Sequence, residues 1–298
     1  MVLKFFVFLI LLSVPLYFVL FYKGKSLVAQ PDAVPGQNLL TSANAKPKFE
    51  LVPPSIDRIF NEDHTWTDTL PSDKKRVLIA TGDVLLARSV NSKTVQSNNF
   101  TWPFEKTADI LKTTDITFVN LETPLLEKCP LTNEGMIFCG DPRNIEGLLL
   151  AGVDVVNIAN NHSGNYGIEG INDTITFLSG AGLIPTGISG PVYKDVNGVK
   201  FAFLGYNEVN RQAGISSANQ DKIAIEVSEA KSNADIVIVQ FHWGNEYTTN
   251  ITSNQRALGH LAIDSGADLI IWQSSALYTA CRALRGEIDY LCPWKFYF

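Results

Sequence analysis

This 298-residue sequence has few cysteines and no excess of basic residues, and each shortage argues against one class of protein. Its 24 Lys and Arg against 30 Asp and Glu give a net charge of −6 without a basic stripe. Since nucleic-acid binding requires clustered cations, nucleic acid is disfavoured as a main partner. Four cysteines are too few for a disulfide framework in a chain this long. Cys129 and Cys139 bracket one loop and could pair in an oxidising compartment.

The remaining composition, 46% hydrophobic and 18% charged, is that of a globular protein with one large domain or two small ones. Residues 5–22 are uncharged and mostly apolar, close to the length of about 20 that spans a bilayer as a helix. We therefore predict residues 1–25 to be a signal anchor in the cell membrane, with the rest of the chain on the extracytoplasmic side. A cleaved signal peptide is the alternative, because S-L-V-A at 26–29 is a weak cleavage site.

Residues 26–75 contain scattered prolines without sustained periodicity, which predicts an extracytoplasmic linker. From Arg76 to residue 271, apolar runs alternate with helical patterns, which predicts an α/β domain with a mostly parallel sheet covered on both faces. Several runs end abruptly in polar residues. These runs are V-L-I-A-T-G-D (77–83), I-T-F-V-N-L-E (116–122), V-D-V-V-N-I-A-N-N-H (153–162), K-F-A-F-L-G-Y-N-E (200–208) and A-D-I-V-I-V-Q-F-H-W-G-N-E-Y (234–247).

Ligands of open α/β sheets bind beyond the carboxyl ends of the strands, so these polar residues predict one shared site. Its candidate metal ligands are Asp83, Glu122, Asn161 and His242, with Asn120, Asn160, Asn165 and Glu246 in support. Such oxygen and imidazole donors suit divalent ions of the Mn, Fe, Zn or Mg type, and no cysteine stands at these strand ends. Two metals about 4 Å apart can activate a water for phosphoryl displacement.

His162 follows Asn161 directly and is the candidate catalytic residue, either as general acid or as stabiliser of a leaving oxygen. Each residue also has an ordinary interpretation. Asp83 after Gly82 is typical of a turn or helix cap, and Asn-rich stretches are typical of turns with a surface histidine. The recurrence of such residues at successive strand ends favours a site.

Four segments resemble, in order and spacing, the successive motifs of the CapA family of poly-γ-glutamate capsule synthesis proteins. They are T-G-D-V-L-L-A-R, F-V-N-L-E-T-P-L, A-N-N-H-S-G-N-Y-G-I-E-G and F-H-W-G-N-E-Y, and the similarity extends from about Val77 to Ile271. The family is similar to calcineurin-like metallophosphatases. The resemblance implies a four-layer α/β sandwich around a metal site, on a membrane-anchored protein of the bacterial cell surface. It also implies the ligand and catalytic roles given above for Asp83, Glu122, Asn161, His162 and His242.

The sequence departs from the family pattern at two places. Asn165 stands where the family usually has Asp, which keeps the hydrogen-bonding shape but removes the charge that supports a metal site. Residues 272–298 lack the family's histidine-rich segment and its Leu-Gly-Asn-Phe ending. We therefore predict that residues 272–298 are an aberrant tail, in which a frameshift has truncated the domain; genuine divergence is the alternative.

Sequencing the locus tests the frameshift. Moving one nucleotide forward from Trp272 permits a chain that ends in Y-A-L-G-N-F-I-F, so we expect the shifted frame to encode that ending. A shifted frame without it rejects the hypothesis.

Two classes of function remain open from the sequence. The first is metal-assisted hydrolysis or transfer, at a phosphoester or amide-type bond, in the biosynthesis of an anionic capsule polymer. The second is a non-catalytic envelope component that binds or exports an acidic polymer, which Asn165 and the missing last motif favour. Partners in either case are the membrane and the polymer or its biosynthetic machinery.

Overall fold

The computed structural model describes residues 75–244 and 251–273, which form two four-stranded sheets and six α-helices. In chain order the elements are β1 (Leu78–Val84), α1 (Arg88–Ser97), α2 (Ala108–Leu111), β2 (Ile116–Leu121), α3 (Ile145–Leu150), β3 (Val155–Asn157), α4 (Gly167–Gly180), β4 (Ile184–Thr186), β5 (Val192–Val196), β6 (Val199–Asn207), α5 (Gln220–Asn233), β7 (Ile236–His242), α6 (Ser253–Asp264) and β8 (Leu269–Gln273). Short 3₁₀ helices lie at Trp102–Phe104 and Pro142–Asn144.

Several predicted features lie outside the described residues. They are the signal anchor at 1–25, nearly all of the linker at 26–75, Glu246, and the tail beyond residue 273. Of the helices within 75–244 and 251–273, none has the length and apolar character of a membrane span.

The α/β class is confirmed, and the described residues form the two sheets that the four-layer sandwich implied by the family resemblance requires, where the strand patterns alone indicated one mostly parallel sheet. The first sheet has the order β1-β2-β3-β4 and is entirely parallel. The second has the order β5-β6-β7-β8, in which β5 and β6 are antiparallel and the other pairs are parallel. In the second sheet, the turn Asn197-Gly198 joins β5 to β6: both turn residues have positive φ, and the flanking Val196 and Val199 pair with each other. An Asn-Gly pair in that conformation is the preferred two-residue hairpin turn.

The two sheets pack against each other, and helices cover their outer faces. Along each strand alternate side chains point to opposite faces, so Ile116 and Phe118 of β2 meet Phe201 and Phe203 of β6 in the layer between the sheets. The rings of Phe118 and Phe203 lie edge to face, 5.1 Å apart. One outer cluster joins the first sheet to helices such as α4, and another joins the second sheet to α5 and α6. The layers are therefore helices, sheet, sheet and helices.

The inner layer changes from apolar to polar toward the carboxyl ends of its strands. Residues two positions apart in a strand point to the same face, so three strands place polar side chains on the inner face after apolar ones. Asn120 follows Phe118, Asn157 follows Val155, and Gln240 and His242 follow Ile238; all four polar residues are fully buried. The sheets approach so closely here that a Cβ at Gly205 would overlap the Asn157 side-chain oxygen. The polar half of this layer is where the candidate site lies.

Phe203→Ala should reduce the free energy of unfolding by about 3–5 kcal/mol, because it empties a ring-sized volume between the sheets. Denaturant unfolding measures the change. Ile225→Ala on α5, where the side chain is 67% exposed, is the control and should stay within about 0.5 kcal/mol of the parent. A loss below about 1 kcal/mol for Phe203→Ala would contradict packing of the two sheets through this ring.

Candidate metal centre

Asp83 reaches the inner layer through an irregularity in β1. The pairing of β1 with β2 shifts between Ala80 and Asp83, so that Asp83 lies opposite Asn120. An extra residue of this kind re-aims the side chains that follow it. The Asp83 carboxylate, only 3% exposed, accepts a 2.8 Å hydrogen bond from the Asn120 amide.

His242 lies at the centre of the site, at the end of β7, with none of its surface exposed. Its Nδ1 is 3.7 Å from an Asp83 oxygen, and its Nε2 is 3.8 Å from a Glu122 oxygen. The Asn161 side-chain oxygen is 2.7 Å from the same Nε2. Residues in or just after three strands of the first sheet thus converge on one imidazole of the second sheet.

A set of buried asparagines fixes the loop that carries Asn161 and His162. The Asn120 oxygen accepts from the side chains of Asn157 at 2.9 Å and Asn160 at 3.3 Å, so its NH₂ group is left to face Asp83. The Asn160 oxygen accepts from the main-chain N–H groups of His162 and Ser163 at 3.1 and 3.0 Å. Asn160 therefore shapes the turn, which is a supporting role. Asn157, which the sequence did not single out, belongs to the same set.

His162 is 7% exposed and its Nε2 is 3.9 Å from a Glu122 oxygen. Its Nδ1 is 3.1 Å from the Asn165 side-chain oxygen. The ring of Phe138 stacks on the imidazole with centroids 3.9 Å apart and an interplanar angle of 24°. His162 thus has one nitrogen held by Asn165 and the other directed toward Glu122.

Two residues that sequence reasoning missed hold this loop from outside. Gln212 donates through its amide to the Asn161 carbonyl, and its side-chain oxygen accepts from the Gly164 N–H at 2.8 Å. Phe138 comes from the loop that the Cys129–Cys139 disulfide closes. Neither has a sequence signal, since a lone Gln or Phe in a loop is common and its partner is remote in the chain.

The disulfide confirms the pairing that the sequence allowed for Cys129 and Cys139. Asp141, two residues beyond Cys139, accepts hydrogen bonds from Arg143, which lower the pKa of its carboxyl below the usual value. The main-chain N–H of Asp141 donates to Asn91 of α1 at 2.8 Å. The end of the disulfide loop is therefore tied to the first sheet's helical layer.

The predicted site residues within the described chain come together, whereas Glu246 lies outside it. Asp83, Glu122 and His242 each offer a ligand atom, and these atoms lie within 4.8 Å of one another, all buried. Two carboxylates in a buried space are costly unless a cation compensates them. Carboxylate, imidazole and amide oxygen are donors that first-row divalent ions accept, so the group fits such an ion with Asn161 as a fourth ligand.

Comparison with known proteins supports the family resemblance of the motifs. A 222-residue match to the capsule biosynthesis protein CapA of Bacillus anthracis is 30% identical and covers 67% of this chain and 54% of that protein. The PGA biosynthesis protein CapA of Bacillus subtilis is 27% identical over 73% of this chain and 62% of its own. A probable polyglutamine synthesis accessory protein of Mycobacterium tuberculosis is 27% identical over 70% of this chain and 62% of its own. The chain thus spans between about half and two thirds of the length of these relatives.

The family model of the bacterial capsule synthesis protein PGA_cap matches residues 77–288. The match contains every described site residue and continues past residue 271, into the segment predicted as an aberrant tail. With most of the chain covered, this protein belongs to the PGA_cap family of bacterial capsule synthesis proteins.

Proposed function

We propose that this protein is a metal-dependent hydrolase or transferase of capsule polymer biosynthesis, with a metallophosphatase-like domain held outside the cell membrane by residues 1–25. The observation that carries the proposal is the buried group of Asp83, Glu122 and His242 at the carboxyl edge of the inner layer. Structural support alone does not require two carboxylates and an imidazole in a space that excludes water. The reacting bond is a phosphoester or an amide-type bond.

The proposed chemistry divides between the ion and the residues around it. A divalent ion held by Asp83, Glu122, Asn161 and His242 would polarise the substrate and lower the pKa of a bound water. Asn120 orients the Asp83 carboxylate by donating to it. With both ring nitrogens protonated, His162 would deliver the proton of Nε2, the nitrogen that faces Glu122, to the leaving oxygen and would keep the proton of Nδ1. Phe138 covers one face of that imidazole and keeps water from it.

The polymer is proposed from the relatives, which are named for capsule, PGA and polyglutamine synthesis. We propose an acidic polymer, or the machinery that builds it, as the partner of this chain. A net charge of −6 gives no general attraction for a polyanion. The cation would then supply the local positive charge that the substrate requires.

A second candidate is a non-catalytic envelope component that binds or exports an acidic polymer. The observation in its favour is the number of ligands: within the described residues, one group of three His, Asp or Glu side chains could hold a metal. With Asn161 this suffices for one ion and is short of the ligands that a two-metal site shares. Asn165 adds no charge to the site.

Metal analysis of the purified full chain, followed by phosphodiesterase and poly-γ-glutamate hydrolase assays with Mn, Fe, Zn and Mg, separates the two. Bound metal together with turnover that depends on His162 supports the enzyme and rejects the binder. If neither is found, also in a chain whose tail follows the shifted reading frame, the enzyme is rejected.

A further inference from the structure

Phe138 makes two separate contacts with the surroundings of His162. Its ring stacks on the imidazole at 3.9 Å between centroids. Its main-chain N–H donates to the Asn165 side-chain oxygen at 2.6 Å, and that same oxygen is 3.1 Å from His162 Nδ1. Asn165 is thus held between a main-chain donor and the imidazole.

The main-chain contact determines which atom Asn165 presents. An asparagine amide can place either oxygen or NH₂ at a given position, and only its surroundings decide between the two. The Phe138 N–H can only donate, so the atom facing it is the oxygen. Because that oxygen also faces Nδ1, the His162 ring must carry its proton on Nδ1 to bond there. The neutral ring then has its lone pair on Nε2, directed toward Glu122.

The position of Phe138 is in turn fixed by the disulfide-closed loop in which it lies. Cys139 follows Phe138 and is joined to Cys129. Beyond it, Gly140 forms main-chain hydrogen bonds with Pro124 and Leu126, each 2.9 Å long, which hold the base of the loop. The disulfide therefore restricts the segment whose N–H orients Asn165.

We propose that Phe138 is a positioning residue for His162: through its main-chain N–H it orients the Asn165 amide and thereby selects the Nδ1–H tautomer, and the Cys129–Cys139 disulfide maintains this arrangement. An aspartate at position 165 would accept with either oxygen and needs no such selection. With Asn165 at this position, the Phe138 N–H in the loop determines that the amide oxygen, and not the NH₂ group, faces His162 Nδ1. The proposal rests on the proposed function only in treating His162 as catalytic.

The test is the tautomer of His162 in the metal-free full chain, read from long-range ¹H–¹⁵N spectra recorded at increasing pH until the ring signals no longer change. The chain has four histidines, so a His162→Gln variant assigns the signal. We expect the Nδ1–H form to exceed the other by about tenfold, the ratio that one net hydrogen bond supports. Histidine free in water favours the Nε2–H form, so this result would not arise by default.

Variants show which of these contacts determines the His162 tautomer. Asn165→Leu should shift the ring toward Nε2–H, whereas Phe138→Ala keeps the main-chain N–H and should leave the tautomer unchanged. Cys129→Ser/Cys139→Ser should lower the Nδ1–H excess, and adding Asn165→Asp to that double variant should restore it. The signals of His242 and His260 show whether each variant is folded.

An Nε2–H ring in the parent protein overturns the proposal. So does a folded Cys129→Ser/Cys139→Ser variant with the parent's ratio, or a failure of Asn165→Asp to restore it. None of these readouts requires turnover, so a protein with the expected tautomers but no enzymatic activity would contradict the proposed function alone.

Discussion

His162→Gln is expected to lower turnover by about 10²–10⁴-fold, the usual contribution of a positioned general acid. Glutamine keeps a polar group of similar reach but cannot transfer a proton. The site should otherwise remain intact, because the Asn160 contacts that shape the loop use the main-chain N–H groups of residues 162 and 163. Steady-state assays with the substrate found in the hydrolase screen measure the effect, and metal affinity should stay close to that of the parent.

The matched control is His260→Gln on α6, which makes the same chemical change away from the candidate site. Its turnover should equal that of the parent. Equal activity of the parent and His162→Gln would remove His162 from the chemistry, while an equal loss in both variants would show a general effect on folding.

Asp83→Asn is expected to weaken divalent-metal binding by more than about 100-fold, since changes in groups that merely support a ligand already cost about 10–100-fold. The substitution preserves the shape and an oxygen that can accept from Asn120, but it removes one of the two buried carboxylates. Calorimetric titration of the metal-free protein with Mn²⁺ or Zn²⁺ measures the affinity.

Thermal unfolding gives a second measure of the same site. A ligand at about 100 times its dissociation constant stabilises the folded state by about 2.7 kcal/mol, so metal should raise the melting temperature of the parent and not of Asp83→Asn. Asp109→Asn, which removes an exposed carboxylate paired with Lys112, is the control and should respond to metal like the parent. Unchanged affinity in Asp83→Asn would show that the ion binds elsewhere.

The location of the site was predictable because the change from apolar to polar residues along the strands is visible in the sequence. Asp83, Glu122, Asn161 and His242 follow apolar runs, and parallel strands bring such ends to one edge. The motifs also identified the family, which the comparisons confirm. The roles assigned to these side chains stay predictions until metal binding and turnover are measured.

The division into two sheets was not predictable from the strand patterns. β4 has three residues, and β5 reads Val-Tyr-Lys-Asp-Val with partly exposed positions, so neither has the apolar run of a buried strand. The irregularity in β1 that turns Asp83 inward depends on pairing with β2, which a single strand does not encode. Helix α1 buries Asn91, Ser92 and Thr94, so its inward face is polar and gives no apolar periodicity.

The contacts that complete the site depend on remote pairings. Gln212 is 51 positions from the Asn161 carbonyl that it holds, and Phe138 is 27 positions from Asn165. Their residue types are ordinary for loops, and only the fold places them beside the asparagine-histidine turn. The sequence therefore indicates which residues could bind a metal better than it indicates which residues hold them in place.

The central claim is that one divalent ion binds among Asp83, Glu122, Asn161 and His242, between the carboxyl ends of the two sheets. Anomalous scattering from a crystal of the protein grown with Mn²⁺ tests it directly. The account predicts an anomalous peak in contact with an oxygen of each carboxylate and a nitrogen of His242. A saturated crystal with these side chains in place and no peak among them, or with its strongest peak elsewhere on the chain, would contradict it.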